Sequence, residues 1–362
     1  MTQYYVGLDV HSKQSVFVMA DGTGKLCAQG ALATTPEGFQ RWQEHYQVPC
    51  GTAVALESGT MAFFAARQLR ALGLMPVVVD AHEVRLKAQR PRQKSDRRDA
   101  HELCEGLRRG LYRSIIHMPP VPISALRQTL SRRRHFVRVQ TAEINAAKHV
   151  LRAAGMGQLK ANLRTATGWT KLVAALAAQP ALQQALSHHH ALWRQAQSEV
   201  QALEQQLAQQ QQPFVAELQR LQTIPGVGRI VALTVVAVFS EVERFPSAKH
   251  VASYAGLVPT TYQSGERECH GHITKQGSGE LRAMLCEAAQ HARHADHPLN
   301  PYFAALCAKR GYRMAVVAVA HRLCRIMFAM LRHQSDFDIQ RVGVEEGPFL
   351  RTTARRYRRK AA

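Results

Sequence analysis

Four carboxylates have the residue type and spacing to do chemistry. Asp9 closes the run YYVGLD, Glu57 closes AVALE, and Asp96 and Asp99 stand three residues apart in KSDRRDA. The first two runs are apolar and strand-like, so each acid falls at the end of a strand. Asp96 and Asp99, at i and i+3 of a helical pattern, share one helix face. Carboxylates gathered from such positions repel one another unless a cation lies between them. Mg²⁺ is the expected ion because it takes oxygen ligands of this kind, with Mn²⁺ as the alternative. Four carboxylates could hold one ion, or two about 3.5–4 Å apart as in-line displacement at phosphorus requires. The competing reading is four unrelated surface acids, with Asp96 and Asp99 paired to Arg97, Arg98 or helix N-terminal amides. The strand, strand, helix order favours the metal.

Such acids need a scaffold. Residues 4–9 and 15–19 read as two strands around a turn, and 25–33 as a third. A helix opens at Thr35-Pro36 and carries Phe39 and Trp42. Then come a short buried strand at 52–56, a helix at about 61–72 and an apolar strand at 76–79. Three hairpin-like strands followed by helix–strand alternation is the order of a ribonuclease-H-like α/β fold. From about residue 123 the character changes. Residues 123–153 contain neither Gly nor Pro, and Leu126, Leu130, Val137, Ile144 and Leu151 recur near heptad spacing. A second helical stretch covers about 191–212, with Val200, Leu203 and Leu207 in step. Together they read as an antiparallel arm, or a coiled coil with another subunit. A third, loop-rich region follows, ending in one helix pattern from Asn300-Pro301 to about Arg332. The tail, RTTARRYRRKAA, is basic.

The chain has 362 residues, 47 basic against 26 acidic groups and a net charge of +21. Residues 1–80 carry five Lys or Arg against six acids, whereas 81–160 carry 18 against six, a net of +12. Charge segregated in this way is the footprint of a polyanion partner. Seven scattered cysteines without CxxC spacing argue for a reducing cytoplasm and against a zinc ribbon. No signal peptide is visible. The longest apolar run, from Ile230 to Phe239, falls well short of the ~20 residues of a membrane span.

Several basic and glycine positions are candidates for nucleic-acid contact. Arg132, Arg133, Arg134 and Arg138 decorate the first long helix, with Arg127, Lys148 and Arg152, and Glu143 is the lone acid of residues 123–153. They could form a track for a phosphate backbone or a solvated face. Pro225-Gly226-Val227-Gly228 lies between two helical patterns and looks like a helix-hairpin-helix. Gly226 and Gly228 would let amides approach a phosphate. Ser264 sits in a Gln-Ser-Gly loop followed by Arg267, His270, His272, Lys275 and Arg282. A serine hydroxyl needs activation to attack phosphorus, and on chemistry alone a Ser-Gly pair reads as a turn. The histidines at 188–190, at 291, 294 and 297, and at 270 and 272 beside Cys269 complete no zinc pattern.

Taken together, GLDVHSK, ALES, KSDRRDA, PGVG, YAGLVP, QSG, KQGSGELR and the closing NPYF and KRGYRMAVVAVAHRL segments resemble the insertion-sequence transposases of the IS110 family, including its IS1111 subgroup. The resemblance covers nearly the whole chain. It implies a RuvC-like DEDD domain over 1–120 and a helical coiled-coil arm over 121–215. A mainly helical transposase domain with the serine loop would follow over 216–340, then a basic tail over 341–362. It places the acidic set on Asp9, Glu57, Asp96 and Asp99, and a nucleophilic serine, supplied by a partner subunit, on Ser264. It further implies a bridge-RNA-guided serine recombinase acting on element-junction and target DNA through a phosphoserine link. The implied assembly is a dimer, or a tetramer at the synapse, in the bacterial cytoplasm at the nucleoid, with no membrane partner. Two other readings stay open. One is a RuvC-like junction resolvase that uses water. The other is a non-catalytic nucleic-acid-binding regulator of recombination.

Overall fold

The computed structural model describes residues 3–87, 95–158, 161–264 and 267–342, with the backbone alone at 261–264, 267–270, 341 and 342. The basic tail beyond 342 lies outside the described residues. The chain divides into two compact units, Met1–Pro119 and Pro120–Ala362.

The first unit is built on a five-stranded sheet. Its strands are β1 (Tyr4–Asp9), β2 (Gln14–Asp21) and β3 (Leu26–Ala33), then β4 (Ala53–Glu57) and β5 (Met75–Val79), in the spatial order β3-β2-β1-β4-β5. β1 runs antiparallel to β2 and parallel to β4, and β4 runs parallel to β5. Between them lie α1 (Pro36–His45) and α2 (Ala62–Ala71), and after β5 come α3 (Ala81–Lys87) and α4 (Asp96–Arg108). α1 starts where the sequence says it should, because Thr35 accepts a hydrogen bond from the Gly38 amide and Pro36 takes the first helical position.

Alternation along the strands separates the two faces of the sheet. Val6, Leu8, Val54 and Leu56 pack with Phe39, Trp42 and Leu69 on one face. Gly7 and Ala55 face the other way, under α4. A Cβ at Gly7 would overlap the Ala100 carbonyl oxygen and the Cys104 amide nitrogen. Only glycine lets strand and helix approach so closely.

The second unit begins with α5 (Val121–Ala153), α6 (Ala166–Ala175) and α7 (Pro180–Gln210). α7 starts some eleven residues before the stretch expected from the sequence. Pro180 sits in its first turn, and the buried Leu186 lies in the added part. α6 was not expected at all; its Trp169 and Leu172 join Leu151, Leu186 and Trp193 in a separate apolar cluster. α5 and α7 run antiparallel, since rising numbers on one meet falling numbers on the other. Arg133 pairs with Glu204 at 2.6 Å, Gln140 with Gln197 at 2.5 Å, and Glu143 with His189 at 2.7 Å. These rungs are partly exposed, so each contributes about 1 kcal/mol or less, but they fix the register of the two helices.

The rest of this unit is α8 (Val215–Gln222), α9 (Arg229–Phe239), α10 (Ala248–Tyr254), the antiparallel hairpin β6 (Pro259–Ser264) and β7 (Arg267–Ile273), α11 (Gly279–Ala289), α12 (Asn300–Arg310) and α13 (Tyr312–His333). α12 and α13 replace the single helix expected from 301 to 332. Gly311, at φ +79°, breaks it in a conformation that other residues avoid. Residues 231–239 of α9 are all buried and, with α13, form the core. By length and composition α13 could cross a membrane, but 61% of its apolar window is buried inside this core. Arg127 places its Nε 2.7 Å from the Ala237 carbonyl and Arg244 its Nε 3.2 Å from that of Phe239, so two guanidiniums cap the C-terminus of α9. Arg127 is thereby tied into the fold.

Three histidines of this unit are held below their ordinary pKa chiefly by burial: His190, stacked on Trp169, His297 and His321. His297 accepts from the Leu299 amide at Nδ1, so its Nε2 carries the proton and donates to the Pro225 carbonyl at 3.1 Å. A depressed folded pKa means that the unfolded chain binds more protons. The stability these groups contribute is present above about pH 6.5 and is lost as pH falls through their folded values. Urea midpoints should therefore drop between about pH 7.5 and about pH 5.5, and less so in His297→Gln.

Candidate active site

Leu8 and Leu56 are register partners across β1 and β4, so the next residues out, Asp9 and Glu57, end neighbouring parallel strands. Both lie two positions beyond residues that face α4, so both point to the α4 side of the sheet. α4 starts at Asp96 with Ser95 as its cap, accepting from the Arg98 amide at 3.3 Å. Asp96 and Asp99 occupy its first turn. The close seat at Gly7 thus brings the first turn of α4 to the ends of β1 and β4.

At this point Asp9 is mostly buried, with 16% of its side chain exposed. Burial pushes its pKa above the ordinary carboxylate value; His11 opposes that rise, and the nearby Asp99 and Asp96 add to it. His11 Nε2 lies 3.0 Å from Asp9 Oδ2 and 3.6 Å from Asp96 Oδ1. One ligand atom from each of Asp9, His11 and Asp96 falls within 4.8 Å of the others. The sequence reading passed over His11, although an Asp-x-His pair closing a strand was a signal available to it.

Other acids of this unit are occupied differently. Asp80 caps α3 through the His82 amide, Asp21 holds the turn at Thr23, and Glu105 pairs with Arg108 and Arg109. Glu83 accepts from the Arg113 and Ser114 amides, which lowers its pKa. Asp9 differs from them in bearing the repulsion of two further carboxylates, and that donor set suits a hard divalent cation. Arg97, one expected partner of the Asp pair, instead donates through Nε to Gln29 at 2.8 Å. Arg97, Arg98, His101 and Gln29 line an open cleft of about 650 Å³ beside Asp96.

In the second unit, the hairpin that carries Ser264 stands on two glycines. Gly256 has φ +66° and Gly277 φ +82°. A Cβ on the first would overlap the Gln276 carbonyl oxygen, and on the second that of Tyr254. Arg282 Nη1 donates to the carbonyls of Ala255, Gln276 and Gly277 at 3.0, 3.1 and 3.4 Å, clamping the base of the hairpin. Ser264 pairs with Arg267 in register. Their side chains, with those of Cys269 and His270, lie outside the described residues. Lys275 is exposed at φ +55° where the chain leaves the hairpin. Gly277→Ala should cost about 2–3 kcal/mol in urea unfolding and speed proteolytic nicking between residues 256 and 277.

The remaining candidates are scattered over this unit. Arg132 is exposed on α5, whereas Arg133 is engaged by Glu204. Arg134 and Arg138 lie near Glu280 of α11, whose pKa is raised by burial and drawn back down by the two arginines. Gly226, at φ +79°, packs on His291. Gly228 caps α9 with open space where a Cβ would be, leaving room for a close approach.

Comparison with known proteins gives matches to two family models. Residues 6–156 match a transposase model of the DEDD type, and residues 218–304 match the model of the transposase IS116/IS110/IS902 family. Among curated proteins, the chain is 28% identical over 308 residues to a "Probable family 20 transposase" of Pseudomonas aeruginosa, covering 79% of this chain and 85% of the relative. It is 32% identical over 125 residues to the "Transposase for insertion sequence element IS1111A" of Coxiella burnetii, covering 33% of this chain and 34% of that one. It is also 32% identical over 121 residues to a "Pilin gene-inverting protein" of Moraxella lacunata, covering 33% of this chain and 38% of that protein.

Proposed function

We propose that this chain, similar over residues 6–156 to a DEDD-type transposase and over residues 218–304 to the IS116/IS110/IS902 transposase family, cuts and rejoins DNA through Ser264, with Mg²⁺ held by Asp9, Glu57, Asp96 and Asp99. The observation that carries this reading is the meeting of Asp9 with Asp96 and Asp99 at the strand end next to Glu57. A divalent ion there would neutralise charge on a phosphate and polarise it toward attack.

The chain's own residues do the rest. Asp9, Glu57, Asp96 and Asp99 would hold the ion at the strand ends, where its charge would offer a seat to a phosphate. Ser264 Oγ bonds to phosphorus as one deoxyribose oxygen leaves, and the serine proton ends on that oxygen. The phosphoserine link keeps the energy of the broken bond, so a second strand's hydroxyl can reverse the step and rejoin the DNA. The serine would come from a partner subunit, in a dimer or a tetramer at the synapse. Residues 1–120 would act as a RuvC-like domain, 121–215 as the arm and 216–340 as the domain presenting the serine. Arg132, Arg134, Arg138, Arg267, Lys275 and the amides around Gly228 would follow nucleic-acid backbone. The +12 surplus over residues 81–160 could also hold an element-encoded guide RNA. Similarity to a pilin gene-inverting protein favours rejoining over mere cutting, because inversion requires both.

The test uses the full chain, element-junction DNA, flanking non-coding RNA and Mg²⁺. A protein–DNA adduct that survives denaturation is expected from wild type and not from Ser264→Ala. Cut ends without an adduct, still made by Ser264→Ala, would replace this mechanism with a water-using nuclease.

A further inference from the structure

The four carboxylates offer a metal ion oxygen donors alone. The geometry adds a nitrogen. His11 lies in the turn between β1 and β2, two residues beyond Asp9, and its ring reaches back over the end of the strand. Its Nε2 is 3.0 Å from Asp9 Oδ2 and 3.6 Å from Asp96 Oδ1. Two ligand atoms each about 2.1 Å from one ion lie about 3.0 Å apart at a right angle and about 3.4 Å apart at the tetrahedral angle. The separations at His11 bracket these edge lengths. The three ligand atoms lie within 4.8 Å of one another, so small side-chain adjustments would let a single ion gather all of them. His11 is exposed, so its ring need displace nothing to hold this pose.

We propose that His11 is a direct nitrogen ligand of the ion held by Asp9 and Asp96, and that it makes the centre select a first-row transition ion such as Mn²⁺ over Mg²⁺. The inference rests on the carboxylate metal site proposed above and specifies which ion that site prefers. Mg²⁺ takes oxygen ligands and gains little from an imidazole, whereas transition ions bind nitrogen well. A hydrogen bond from His11 to Asp9 would give the same 3.0 Å separation, but it would not distinguish between the two ions.

Mn²⁺ binding to the full chain, without DNA, can be followed by electron paramagnetic resonance, with Mg²⁺ as competitor. Wild type should favour Mn²⁺, and bound Mn²⁺ should show a ¹⁴N modulation in pulsed spectra. His11→Ala should lose the modulation and about tenfold of the Mn²⁺ preference while binding Mg²⁺ as wild type does. Asp9→Asn should weaken both ions together. Bound Mn²⁺ without a ¹⁴N signal in wild type, or an unchanged ion preference in His11→Ala, would overturn the role of His11 and leave the carboxylate site standing. Failure of wild type to bind either ion would overturn both.

Discussion

Asp9→Asn is expected to abolish strand cleavage and, in the metal-free chain at neutral pH, to raise the thermal midpoint. The two effects share one cause. Burial first, then Asp99 and Asp96, hold the Asp9 carboxyl above its ordinary pKa, against the opposing pull of His11. A raised folded pKa means that the folded chain prefers protonated Asp9. The stability it contributes is present below the ordinary carboxylate range and is lost as pH rises through the folded value. At neutral pH the ionised group is therefore a cost, which asparagine removes while still offering an oxygen to His11. A divalent ion reverses the balance, so added Mg²⁺ should raise the wild-type midpoint and leave that of Asp9→Asn nearly unmoved. Loss of metal-assisted charge stabilisation removes several kcal/mol, so cleavage should fall about 10³-fold or more. Ser264→Ala separates the roles by losing the adduct while keeping the Mg²⁺-dependent midpoint shift. A lower midpoint for Asp9→Asn in chelator, or cleavage retained, would contradict the account. The pH dependence from Asp9 runs opposite in sign to that from the buried histidines, so the two can be told apart.

Gly7→Val should strongly destabilise the first unit. Its Cβ would meet backbone atoms of α4, the Ala100 oxygen and the Cys104 nitrogen, which cannot rotate away as a side chain can. Either the helix lifts off the sheet or the strand shifts. The cost should reach about 3 kcal/mol or more, read as a lower urea midpoint. Because Asp96 and Asp99 are on the same helix, the variant should also lose the stabilisation that Mg²⁺ gives wild type. Gly7→Ala should show both effects more weakly. If Gly7→Ala changed neither quantity, the seat of α4 on β1 would not be what positions the acids.

Short apolar runs between turns and the Thr35-Pro36 start signal made the strands and the first two helices of the first unit readable, since both depend on local sequence; α3 carried no such signal. Helix bounds in the second unit were less so. α6 is short and α7 begins in a segment without heptad spacing, so their existence rests on the Trp169 and Leu186 cluster, a contact between distant residues. The break at Gly311 was misread because a glycine within an apolar helical pattern does not show its φ in the sequence.

The sequence by itself determined the chemistry on offer: acids at two strand ends and in a helix's first turn, a basic excess after residue 80, and a serine ahead of a run of donors. Only the tertiary structure decided which groups meet. Parallel pairing of β1 with β4 sets Asp9 beside Glu57, and the missing Cβ of Gly7 lets the first turn of α4, with Asp96 and Asp99, approach the strand ends. It also brought His11 over the acids and committed Arg127 and Arg282 to backbone carbonyls. Charge and residue type are properties of the chain, but distances of 3 to 4 Å between groups far apart in sequence exist only once the backbone has packed.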